Sequence, residues 1–166
     1  MGSRVSFERG FTLIELLIAL AIAAILLAIA VPSYSGSRLN SQLRASSNDL
    51  IGSINLARSE AIKSGASVTL CASSNGQTCG GAWADGWVVL RGADVLHTVS
   101  AIPSGFHLTE ASGTATLQFQ STGVDATPAV FTLCRSNPNS GSQERVVSVD
   151  ATGRAFVRRT TAGLCS

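Results

Sequence analysis

Phe11-Thr12-Leu13-Ile14-Glu15-Leu16 opens a run that continues to Val31, and only Thr12 and Glu15 interrupt its apolar character. As a helix rising 1.5 Å per residue, about 21 such residues reach about 30 Å, the thickness of a bilayer's hydrocarbon core. A carboxylate inside such a segment is expensive, so Glu15 reads as a functional group with a partner. Arg4 and Arg9 precede the run. Basic residues on that side predict an orientation with residues 1–10 in the cytoplasm and the rest outside.

The string Arg9-Gly10-Phe11-Thr12-Leu13-Ile14-Glu15-Leu16 resembles the processing site of type IV prepilins and type II secretion pseudopilins. The resemblance implies that prepilin peptidase cuts between Gly10 and Phe11 and that the new amine of Phe11 is N-methylated. It also implies a filament in which Glu15 pairs with the Phe11 amine of a neighbouring subunit. Cutting there keeps the apolar helix, whereas a secretory signal is cut after its apolar stretch and lost. Ala28-Ile29-Ala30 has the small-x-small form of such a signal site. That reading leaves Glu15 unexplained, as does a plain signal anchor.

Once residues 1–10 and the apolar run are set aside, roughly 130 of the 166 residues remain, enough for one domain with its own core. The net charge is only +2, so bulk charge gives no reason to expect nucleic-acid binding. The chain has 4 cysteines: Cys71, Cys79, Cys134 and Cys165. In an oxidising compartment an even count predicts disulfides, with three pairings open. Cys71–Cys79 and Cys134–Cys165 are favoured. The first closes a short Ser/Asn/Gly-rich loop, and the second ties down the C-terminal stretch. No CxxC occurs and His97 and His107 fit no ligand pattern, so neither a metal nor a cofactor is expected.

Beyond Val31 the helix is expected to continue to Gly65, with a bend or loosening at Pro32 and Gly36. Leu39, Leu43, Leu50, Ile54, Ala57 and Ala61 form one helical stripe, while Arg38, Arg44, Asn48, Arg58 and Lys63 fall on the other face. After Gly65 the period changes to two. Strands are predicted over 68–71, 86–91, 95–99, 116–120, 129–134, 145–149 and 155–158, separated by Gly-, Ser- and Asn-rich turns. Helix followed by short strands gives an α+β fold with a long N-terminal helix on an antiparallel β domain. The expected segments are a leader (1–10), a transmembrane and filament-core helix (11–31), an amphipathic second half (32–65) and a β domain (66–166).

The likeness extends beyond the N-terminus. Leu56-Ala57-Arg58-Ser59-Glu60-Ala61-Ile62-Lys63-Ser64-Gly65, Trp83-x-x-Gly86-Trp87-Val88-Val89-Leu90, Phe119-x-x-x-Gly123 and Val147-x-Val149-x-x-x-Gly153-Arg154 resemble minor pilins of the GspH/FimT/FimU type. This implies a pilin-like fold and a low-copy structural subunit that starts or joins the tip of a type IV pilus. The alternatives are a minor pseudopilin of type II secretion and a DNA-capturing minor pilin. The implied partners are other minor and major pilins, prepilin peptidase and the inner-membrane assembly platform. The implied location is the bacterial inner membrane, single-pass with a periplasmic C-terminal domain, and then the filament.

DNA uptake in this group is associated with a Gly-Arg-x-Arg motif. Here the matching stretch is Gly153-Arg154-Ala155-Phe156, which lacks the second arginine. Arg154, Arg158 and Arg159 are the candidate DNA contacts, with Arg145 near them and Phe156 as a stacking face. The other reading is a turn followed by a half-exposed terminal strand. Catalysis is not expected: the chain has no Gly-x-Ser-x-Gly, no P-loop and no dinucleotide fingerprint. Trp83 and Trp87 read as core residues rather than a ligand platform.

Overall fold

The computed structural model describes residues 11–135 and 144–161, with the side chains of residues 30–35 outside that description. The chain divides into two compact units, Met1–Arg38 and Leu39–Ser166. One helix, α1 (Leu13–Ser64), supplies residues to both. Pro32 and Gly36 lie within it and do not end it.

In the first unit the apolar side chains have no core to enter. Every large one from Phe11 to Ile29 is more than half exposed, Phe11 at 82%. Among the described residues no helix is long and apolar enough to cross a membrane. The described apolar part, Leu13 to Ile29, spans about 26 Å at the helical rise, just short of a bilayer core. The remainder of the predicted segment, Ala30 and Val31, has no described side chains.

In the second unit the predicted stripe is the buried face. Leu43, Leu50, Ile54, Ala57 and Ala61 are buried, and Leu39 is half-buried. The seven-residue step from Leu43 to Leu50 is filled by Ser47. It is also buried, with its hydroxyl donated to the Leu43 carbonyl at 2.7 Å. A small hydroxyl satisfied by its own helix can sit in an apolar stripe without leaving a bare polar atom. Lys63 lies in the last turn, where it complements the helix dipole, and Gly65 follows with φ 64.

Eight strands follow among the described residues: β1 (Val68–Ala72), β2 (Gly86–Arg91), β3 (Asp94–Ser100), β4 (Phe106–Glu110), β5 (Thr116–Phe119), β6 (Ala129–Arg135), β7 (Glu144–Val149) and β8 (Ala155–Thr160). They form two antiparallel sheets, ordered β3-β2-β1-β5 and β4-β6-β7-β8. Strand β4 and a 3-10 turn, Trp83–Asp85, are absent from the sequence prediction. Phe-His-Leu-Thr-Glu carries only two apolar residues in alternation, too weak a pattern to read alone. It becomes a strand because β6 offers an edge, in a register that pairs Leu108 with Leu133.

The two sheets and the second half of α1 share one core, which includes Leu50, Ile54, Leu70, Leu117, Phe119, Phe131 and Val147. Both tryptophans belong to it. Trp83 meets Phe131 edge-on at 4.8 Å and donates its indole N–H to the Thr114 carbonyl at 2.8 Å. Trp87 donates to the Ser53 hydroxyl at 2.9 Å, which locks β2 to the helix. Gly86 precedes it at φ 116, where a Cβ would meet the Val99 carbonyl oxygen at 2.5 Å. Only glycine fits this approach of β2 to β3.

Glu110 closes the turn after β4. Its carboxylate accepts from Ser112 N and Oγ, from Thr114 N at 2.7 Å and from Val130 N. Partial burial raises its pKa, but these donors outweigh burial and hold it below the ordinary carboxylate value. A depressed folded-state pKa contributes stability above the unfolded value and loses it as pH falls through the folded one. Thermal unfolding followed from pH 7 to pH 3 is therefore expected to show Tm falling below about pH 4.3. In Glu110→Gln that fall should be shallower.

Candidate functional site

Glu15 stands in the first turn of α1, three residues after Thr12, whose Oγ1 accepts from the Glu15 N–H at 3.3 Å. Thr-x-x-Glu is the pattern of a capping box, and an acidic group in the first turn is favoured by the helix dipole. Local sequence thus holds both the helix start and the Glu15 backbone in place before any partner arrives. The carboxylate is exposed, as are Phe11 and the apolar side chains around it. The helix therefore presents one charge at its start and an unbroken apolar surface on every side. Such a surface fits lipid or a bundle of like helices. Gly10, the other residue of the expected cleavage pair, lies outside the described residues.

Cys71 and Cys79 are bonded, with an S–S distance of 2.03 Å. The short loop between them is organised from within. Asn75 Oδ1 accepts from Gln77 N and Thr78 N, each at 2.9 Å, and Thr98 of β3 donates to the Gly76 carbonyl. Cys134 is buried in β6 and is also disulfide-bonded. Cys165 lies outside the described residues. Closing an eight-residue separation removes about 2.5 kcal/mol of unfolded-chain entropy. Cys71→Ser/Cys79→Ser is expected to unfold at correspondingly lower denaturant.

The arginines of the last hairpin are divided by its register. Arg159 stands opposite Arg145, whereas Arg158 stands opposite Val146. Successive strand residues point to opposite faces. Arg158 and Phe156 line a shallow groove with Val146, Ser148 and Thr160. Arg145 turns to the helix side, 7% exposed, and donates to Asn40 Oδ1 at 3.2 Å and to the Glu144 carbonyl at 3.1 Å. Burial lowers its pKa first, and the charges of Arg159 and Arg44 lower it further. Arg154, exposed, follows a tight turn in which Asp150 accepts from Thr152 Oγ1, Thr152 N and Arg154 N. These bonds, the Thr152 hydroxyl foremost, hold the Asp150 pKa low. Gly153, at φ 72, lies where a Cβ would meet Ala126, Arg58 and Phe119 side chains at 3.3 Å, so its place has a packing reason. The structure therefore puts Arg145 and Arg159 together and separates them from Arg154 and Arg158.

Residues 46–153 match a family model described as type II transport protein GspH. The chain belongs to the GspH family. Residues 6–31 of this GspH-family chain also match the prokaryotic N-terminal methylation motif. Together the two matches make it a pilin-like subunit of the minor pilin and pseudopilin group, whose members are structural. Its fold is similar to that of the type IV minor pilin FimU of Pseudomonas aeruginosa (strain PAO1), solved in two crystal forms. The first gives a TM-score of 0.58 at 20% identity, covering 71% of this chain and 89% of that one. The second gives 0.53 at 20% identity, covering 70% and 92%. The minor pseudopilin EpsH from the Type 2 Secretion System of Vibrio cholerae is more distant, with a TM-score of 0.49 at 15% identity, covering 74% and 98%. No curated protein matches the chain. The likeness to FimU is one of fold: a long helix on antiparallel sheets.

In this GspH-family chain, reading by sequence alone missed three groups: Ser47 and Ser53 within the helix stripe, Glu110 at its turn, and the contact of Arg145 with Asn40. Ser47 had a signal, since it fills the gap in the Leu43–Leu50 step. Of the other two, Glu110 depends on β4 lying beside β6, and Arg145 on β7 lying against α1.

Proposed function

We propose that the protein is a minor pilin, a low-copy subunit that starts or joins the tip of a type IV pilus. Prepilin peptidase removes residues 1–10 at the Gly10–Phe11 bond and methylates the Phe11 amine. Before assembly, residues 11–31 hold the chain in the bacterial inner membrane as a single span with the β domain in the periplasm. On assembly the same apolar surface packs against neighbouring pilin helices, which replace lipid. Glu15 then meets the Phe11 amine of the next subunit. Such a pair sets the register because a displaced helix leaves a bare charge among apolar side chains. Cys134–Cys165 secures the C-terminal stretch. The assembly platform and other minor and major pilins are the partners.

The observation that carries this reading is an apolar helix surface left exposed among the described residues, opened by a single carboxylate whose own backbone N–H is capped by Thr12. Family membership supports it. The test is the N-terminal mass of the protein recovered from its native membrane and from sheared filaments. A chain beginning at N-methylated Phe11 in both fractions is expected. A chain beginning after Ala30 and recovered free would overturn the reading. A mature chain that co-purifies with a secretion machine instead of pili would make it a pseudopilin.

A further inference from the structure

Three cations meet at one flank of the β domain. Arg145 of β7 is anchored on Asn40 of α1 and faces Arg159 across the β7–β8 pairing. Arg44 lies one helical turn beyond Asn40, on the same side of α1. Among the described residues none of the three has an ion-pair partner. The bonds of Arg145 go to a neutral amide oxygen and a backbone carbonyl, which leaves other N–H donors of its guanidinium unused. A nearly buried guanidinium beside two like charges is unfavourable in the isolated subunit, and an arriving anion removes that penalty.

We propose that Arg44, Arg145 and Arg159 form a docking point for a carboxylate side chain of a neighbouring filament subunit. The proposal rests on the filament reading above. A carboxylate suits the geometry because it can accept two parallel N–H bonds from one guanidinium. Arg145 is recessed, so a side-chain-sized acceptor reaches it more readily than a polymer backbone does. A nucleic-acid track needs a row of exposed cations. Here β8 sends Arg158 to the opposite face from Arg159, and Arg154 sits at the far end of the strand.

The full chain in its native cells provides the test. A photo-crosslinking residue replaces Asn48, exposed on α1 one turn beyond Arg44. Filaments are sheared after irradiation. The expected result is an adduct to another pilin subunit at a peptide containing Asp or Glu. In Arg44→Glu/Arg159→Glu its yield should drop about tenfold, since like charges then face each other across the contact. Arg44→Gln/Arg159→Gln, which keeps polar side chains and adds no charge, should give an intermediate loss. It also serves if the first variant does not reach wild-type abundance. Unchanged yield in the glutamine variant, or an adduct to nucleic acid in place of protein, overturns the proposal and leaves the filament reading intact. Absence of the wild-type chain from the filament fraction overturns both.

Discussion

Glu15→Leu is expected to remove the protein from filaments while leaving its level in the membrane unchanged. The helix itself should tolerate the change. The cap runs from the Glu15 backbone N–H to Thr12, and leucine is a good helix former. What is lost, in the assembly proposed above, is the partner of the neighbouring Phe11 amine. Removing one member of a buried ion pair costs on the order of 3–5 kcal/mol, which is roughly a hundredfold to a few thousandfold in assembly. Quantitative immunoblotting of sheared filaments against the membrane fraction reads the effect. Glu15→Gln should fall between the two, since it keeps a hydrogen-bond acceptor and loses the charge. Wild-type incorporation of Glu15→Leu would mean that the carboxylate serves only the helix start.

Trp87→Ala is expected to be the most damaging single change in the β domain, at about 3–5 kcal/mol. The indole is 1% exposed and touches both layers, with its N–H on Ser53 of α1. Alanine would leave a cavity between helix and sheet and take the donor away from a buried hydroxyl. Denaturant unfolding of the full chain in detergent should show the midpoint shift. Ser53→Ala should cost less, about 1–3 kcal/mol, because it leaves the indole volume in place and removes only the hydroxyl's hydrogen bonds to the Trp87 indole and the Asp49 carbonyl. Equal losses in the two variants would mean that the hydrogen bond, not the packing, holds β2 to the helix.

The two predictions draw on different kinds of information. Glu15 stands out in one dimension, because a lone carboxylate in an apolar run is conspicuous at any fold. Trp87 reads as core from its strand pattern, but its partner, Ser53, lies 34 positions away and looks like an interruption of the helix stripe. Strand β4 shows the same limit: two alternating apolar residues become a strand only when an edge is available beside β6. The terminal arginines show it again. Alternation along β8 separates Arg158 from Arg159, while the pairing that puts Arg159 beside Arg145 is a property of the hairpin register.

The sequence alone determined the long helix with its charged start, the switch to a period of two after Gly65 and the α+β class. These are local: they follow from side-chain spacing, a cap and a turn, each contained in a few consecutive residues. Only the tertiary structure decided that the strands split into two sheets, that serines complete the helix face and that Arg145 meets Arg44 and Arg159. Strand pairing joins residues far apart in the chain. Its register follows from how whole faces bury together, which no short stretch of sequence contains.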